Sequence, residues 1–154
     1  MAVLSRWLNS HKVQYVESVS DWKEAICFAA RPLLAEGAIS HNYVEAIIKQ
    51  KEEVGPYFVI APRIAMPHAR PEQGALSLGL SVLKIGEAVT FGSEENDPVD
   101  IIFMFSAPDS NSHIEMISQL AEVLSEDEEM AKIYKAASAQ EMQDILIGTS
   151  AVAQ

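Results

Sequence analysis

Hydrophobic positions recur along this chain with two periods, and the switches between them outline a fold. Residues 13–16 read as a short strand and residues 17–20 as a turn. A helical period follows. Asp21 with Glu24 three residues on is a capping signal, and Trp22, Ile26, Ala29 and Leu33 line one face. Pro32 lies inside this stretch and has no N–H to donate, so the helix either kinks or splits there, and Gly37 ends what remains. A second helix opens at Ser40, pairs Tyr43 with Ile47 and Val44 with Ile48 at i,i+4 spacing, and closes at Gly55.

Beyond Gly55 the texture changes to strand-like runs at residues 57–61, 78–83, 88–91 and 99–105, the last reading as a buried central strand. Residues 61–74, APRIAMPHARPEQG, hold three prolines and read as a rigid connection or edge. Helical spacing then returns. Ser112 with Glu115 makes a capping box ahead of Ile117, Leu120, Ala121 and Leu124. Residues 128–136 form a short helix, and Ser138 with Glu141 caps another that carries Met142, Ile145 and Leu146 before Gly148. The pattern predicts one α/β domain over residues 1–154, a mixed β-sheet flanked by α-helices.

Composition narrows the functions. The 154 residues include 22 acidic and 11 basic side chains, a formal charge of −11. The imbalance lies entirely in the second half, where residues 76–154 hold 14 acidic and 3 basic residues. That surface argues against nucleic acid; it is either a solubilising face or a docking rim for a basic protein partner. No apolar run reaches the roughly 18 residues a membrane span needs, and the first residues lack a signal-peptide pattern, so a cytoplasmic protein is expected. Cys27, the single cysteine, excludes an internal disulfide; among apolar neighbours on its helix it reads as a buried, inert thiol.

Histidines are the remaining candidates for chemistry, because a neutral imidazole is a nucleophile and proton carrier near pH 7. His68 lies between Pro67 and Pro71, with Arg70 two residues on; it is either an anion-handling ring or a surface-loop histidine. Arg63 and Arg70 are candidate phosphate ligands by charge and fork geometry, or solvated loop arginines. With Ser112 as cap, His113 falls in a first helical turn, in line with Ile117, Leu120 and Leu124. There unpaired N–H groups welcome an anion, and a core-edge histidine is the other reading. His11 and His41 are expected to face solvent. Two histidines alone make a poor zinc site, and no HExxH, GxSxG or GxxxxGK[ST] pattern is present. No metal or cofactor is expected.

The phrases GPYFVIAPRIAMPHARPEQG and NDPVDIIFMFSAPDSNSHIEMISQLAEVLSEDEE resemble the IIA component of the bacterial phosphoenolpyruvate-dependent sugar phosphotransferase system, of the mannitol/fructose type and nearest its ascorbate-specific branch. The resemblance implies a phosphohistidine carrier with a mixed sheet flanked by helices. It implies that His68 accepts a phosphoryl group from the carrier HPr and passes it to a cysteine of a cognate IIB, with a membrane IIC served indirectly. It also implies that His113 hydrogen-bonds the phosphoryl group and orients the acceptor. A regulatory module that keeps the fold and signals through its phosphorylation state is the alternative.

Overall fold

The computed structural model describes residues 7–148. Its strands are β1 (Val13–Val16), β2 (Val59–Ala61), β3 (Ile64–Ala65), β4 (Gly79–Val89) and β5 (Val99–Ser106). Its helices are α1 (Trp22–Ala35), α2 (His41–Val54), α3 (Ser110–Leu124), α4 (Asp127–Lys135) and α5 (Ala139–Gln143), with a π turn at Asp144–Gly148. The sheet order is β1-β4-β5-β3-β2. β1 runs parallel to β4 and β3 parallel to β5, while β4 is antiparallel to β5 and β2 to β3, so the sheet is mixed as expected.

Helices cover both faces. On one, Ile26 and Leu33 of α1 and Tyr43 and Ile47 of α2 pack on Leu83, Ile85, Ile102 and Met104. On the other, Met116, Leu120 and Val123 of α3, Ile133 of α4 and Met142 of α5 pack on Leu80, Val82, Ile101, Phe103 and Phe105. All eight residues of β5 are buried, which follows from its place at the middle of a sheet covered on both faces.

Several local expectations are corrected. Of the two outcomes expected at Pro32, α1 does not split: it runs on to Ala35, and the Phe28 carbonyl, which the proline has no N–H to serve, accepts from Gln14 Nε2 at 2.8 Å. Gly37, at φ +76°, then closes it in a Schellman arrangement: Ala38 N–H donates to Leu33 and Gly37 N–H to Leu34. Cys27 is exposed, since it falls beside rather than on the stripe of Ala25, Ile26, Ala29, Ala30 and Leu33 that meets the sheet. The cap of α3 is Asp109, not Ser112, whose own N–H donates to the Asp109 carboxylate at 2.8 Å. The run at 88–91 is no separate strand: past a bulge between Lys84 and Val89, β4 takes in its first two residues and ends at Val89. Residues 61–74 contain β3, which pairs with β2 through a two-residue turn of Pro62 and Arg63; Arg63 at φ +72° takes the position where a type II turn requires positive φ.

Candidate functional site

β3 and β5 are parallel, so both end at the same side of the sheet, the usual place for ligands in open α/β folds. The chain leaving β3 runs through Met66 and Pro67 to His68, and the chain leaving β5 turns into α3, which carries His113. The sheet thereby joins two residues 45 positions apart in sequence. Their rings are 5.5 Å apart between centroids at an interplanar angle of 62°. Phe105 lies beneath both: His68 stacks on it at 4.9 Å and 21°, and His113 meets it at 5.3 Å. Around the pair is a cavity of about 390 Å³ lined by Gln50, Tyr57, His68, Ala69, Arg70, Gln73 and His113.

The His68 ring is set chemically as well as sterically. Nδ1 lies 2.7 Å from the Met66 carbonyl oxygen. A carbonyl only accepts, so Nδ1 carries the proton, and in the neutral ring Nε2 keeps its lone pair. Burial pulls the His68 pKa below the usual 6.5 and neighbouring His113 pulls the same way, against the bond to Met66. The neutral, nucleophilic tautomer is therefore favoured at neutral pH.

Two tyrosines reach the same segment. Tyr57 donates its hydroxyl to the His68 carbonyl at 2.6 Å. Fully buried Tyr43 donates to the Phe105 carbonyl at 2.8 Å and accepts from Ala69 N–H at 3.1 Å. Burial pushes both phenols up to about 12, so both remain protonated donors. Neither residue, nor Phe105, was identifiable as part of a site from sequence. The available signal was Tyr43 on the core face of α2, because a buried phenol needs a hydrogen-bond partner.

The predicted arginines separate. Arg70 lines the cavity, exposed and 3.5 Å from Glu72. Arg63 is not brought there. Its guanidinium forks Asp100, with Nε at 3.0 Å and Nη2 at 2.6 Å, and lies over the Tyr134 ring at 4.3 Å. Lys84 joins the same carboxylate at 3.0 Å. The start of α3 also differs from expectation. Asp109 takes the amide of Ser112, which holds its carboxyl below the usual range, so that N–H is not open to an anion. His113 N–H is satisfied by the Asp109 carbonyl, which leaves its ring as the polar group α3 contributes to the cavity. His11 and His41 are exposed, as expected. Among the described residues, no group of three His, Cys, Asp or Glu side chains could hold a metal ion. No helix among them is long and apolar enough to cross a membrane.

Fold and cavity together define an α/β/α sandwich with a histidine pair at the carboxyl end of its central strand. Residues 6–148 match the family model described as phosphoenolpyruvate-dependent sugar phosphotransferase system, EIIA 2, and the chain belongs to that family. It is 38% identical over 143 residues to the mannitol-specific cryptic phosphotransferase enzyme IIA component of Escherichia coli K12, covering 93% of this chain and 97% of that one. It is 36% identical over 133 residues to the ascorbate-specific IIA component of the same organism, covering 86% of each. The solution structure of the E. coli cryptic mannitol IIA superposes with a TM-score of 0.87 over 96% of this chain and 99% of that one. The IIA in the E. coli complex of mannitol IIA with phosphorylated mannitol IIB gives 0.76 at 25% identity, over 92% of this chain and 97% of that one.

Proposed function

We propose that this chain is a phosphohistidine carrier of a sugar phosphotransferase system, with His68 Nε2 as the phosphoryl acceptor. The observation that carries the reading is the bond from Nδ1 to the Met66 carbonyl, which assigns the lone pair to Nε2 in a ring whose burial favours neutrality. The donor is HPr. The Nε2 lone pair attacks phosphorus as the bond from phosphorus to the donor histidine breaks, and the phosphoryl group passes to His68. A cysteine thiolate of a cognate IIB then attacks the same phosphorus, and the P–N bond breaks to return the neutral ring. A IIA structure solved in complex with a phosphorylated IIB supports that second partner.

The chain's own work is positioning and charge stabilisation, which phosphoryl transfer chiefly needs. Phe105 fixes the plane of the His68 ring. His113 donates a hydrogen bond to the phosphoryl oxygens, which arrive with about −1.5 to −2 charges by analogy with other phosphoresidues. Arg70 at the cavity rim offsets part of that charge, whereas Arg63, committed to Asp100, has no part in it. The acidic surface steers partners with basic rims and acts on the rate of encounter. Within this reading an ascorbate-type IIB is the acceptor, on the strength of the GPYFVIAP and NDPVDI phrases at residues 55–62 and 96–101.

The test is transfer of labelled phosphoryl from phospho-HPr to the wild-type chain and to His68→Ala, then onward to ascorbate-type and mannitol-type IIB proteins. Label on the wild type, none on His68→Ala, and passage to the ascorbate-type IIB are expected. A label undiminished in His68→Ala overturns the acceptor, and passage to the mannitol-type IIB alone overturns the sugar. Labelling with passage to neither transfers the chain to the regulatory reading.

A further inference from the structure

We propose that Tyr43 and Tyr57 are positioning residues that clamp the two ends of one peptide unit, the one joining His68 to Ala69, and so hold the His68 ring in its reactive pose. The inference rests on the reading of His68 as phosphoryl acceptor. Tyr57 Oη donates to the carbonyl of that unit at 2.6 Å, and its N–H donates to Tyr43 Oη at 3.1 Å. Because carbonyl and N–H belong to one rigid plane, any rotation of the unit weakens both bonds at once. Tyr43 Oη then donates onward to the Phe105 carbonyl at 2.8 Å. Phe105 is also the ring on which His68 stacks, so one hydroxyl ties the loop to its own platform. On the other side of His68, Pro67 fixes its own φ, and Nδ1 is bonded back to Met66. Backbone before, backbone after and ring are each held.

Packing does not account for the hydroxyls. The Tyr43 ring fills the core between α2 and the sheet, and a phenylalanine ring would fill the same space. What the oxygen adds is a bridge between segments 26 and 62 residues distant from Tyr43. Tyr57 is 38% exposed at the cavity, beside fully buried Phe58, which does the packing at that turn. Its hydroxyl therefore serves the loop and not the core. Misplacing a reacting group by about 1 Å can cost about a hundredfold in rate, so a loop that pivots by a fraction of that should cost about tenfold.

The experiment compares wild type, Tyr43→Phe, Tyr57→Phe and the double variant. Quench-flow gives kcat and KM for phosphoryl acquisition from phospho-HPr, and ¹H–¹⁵N spectra follow the His68 imidazole in the unphosphorylated protein. Each single variant should lose about tenfold in kcat, and the double variant less than the product, since both grip one plane. KM should be unchanged in Tyr43→Phe, whose hydroxyl no donor can touch. The His68 Nδ1–H signal, sharp in the wild type, should broaden in the variants. Should Tyr43→Phe not fold, Tyr57→Phe at the exposed rim carries the test. Wild-type kcat together with an unaltered His68 signal overturns the clamp. If the wild type itself takes no phosphoryl group, the acceptor reading fails and the spectra still decide: a broadened signal supports the clamp, an unchanged one overturns it.

Discussion

Asp100→Asn is the most informative perturbation of the scaffold, because the buried charges behind the sheet are unequally matched. Asp100 is 5% exposed and accepts from two cations, Arg63 and Lys84. Lys84 is 4% exposed and forms no other ion pair among the described residues, whereas the Arg63 side chain is 41% exposed and can turn to water. Asparagine keeps the shape and removes the charge, leaving the Lys84 ammonium buried without a counter-charge. Breaking a buried pair in this way costs roughly 3–5 kcal/mol. For a domain of this size 1 kcal/mol moves Tm by about 2–4 °C, so a fall of about 6–20 °C is expected. Thermal and urea unfolding followed by circular dichroism measure it. Adding Lys84→Met should recover most of the loss, since no ammonium then remains to be stranded. Phosphoryl acquisition per folded molecule should not change: Asp100 and Phe105 are five residues apart on β5, roughly 17 Å at about 3.4 Å per residue. A loss below about 1 kcal/mol, or a double variant no more stable than the single, refutes the stranded-charge reasoning. A drop in phosphorylation at constant folded fraction would return Arg63 or its partner to the site.

His113→Ala should slow phosphoryl acquisition by about a hundredfold, the cost of losing one preorganised donor, with the unfolding midpoint nearly unchanged; an unaltered rate in quench-flow would remove that role. The His68 titration followed by NMR should have its midpoint below 6.5, and a midpoint at or above 6.5 would contradict the burial of the ring. The same shift has a sign in stability: below about 6.5 the unfolded chain takes up the proton first, so the His68 contribution is complete above that pH and is lost as pH falls towards the folded value. Gly74 has φ +127°, and a Cβ there would meet Ser40 Oγ at 2.5 Å and Tyr43 N at 2.9 Å. Gly74→Ala should therefore cost more than about 1 kcal/mol in urea unfolding, and a neutral result would show that the turn can shift away from α2.

Local signals in the sequence were read where short-range chemistry decides the structure. β1 occupies residues 13–16 as the alternation predicts, and Asp21 caps α1 by accepting from Glu24 N–H. β5 extends one residue beyond its predicted end. Failures occur where a competing local choice or a distant partner decides. Ser112 and Asp109 both offer a side-chain oxygen ahead of the same apolar run, and the backbone enters the helix one turn earlier than the capping box indicates. β3 is two residues long and owes its identity to pairing with β5, so no local period announces it. Cys27 was misplaced because counting apolar neighbours along a helix ignores which of them face the sheet.

The site divides in the same way. His68 and His113 stood out through proline bracketing and position in a helical first turn, and the sheet brings them together. Arg63 carried the right charge in the right segment, but its turn conformation directs the side chain to Asp100. Phe105, Tyr43 and Tyr57 look like ordinary core and turn residues, and only their long-range hydrogen bonds and ring contacts reveal them.

Phosphorylating the uniformly ¹⁵N-labelled chain through phosphoenolpyruvate and the upstream carriers, then reading the imidazole nitrogens by long-range ¹H–¹⁵N correlation, tests the central claim most directly. The account predicts phosphorus coupled to Nε2 of His68, with Nδ1 still protonated and bonded to the Met66 carbonyl. Phosphorus on Nδ1, on His113 or on no histidine at all would contradict it.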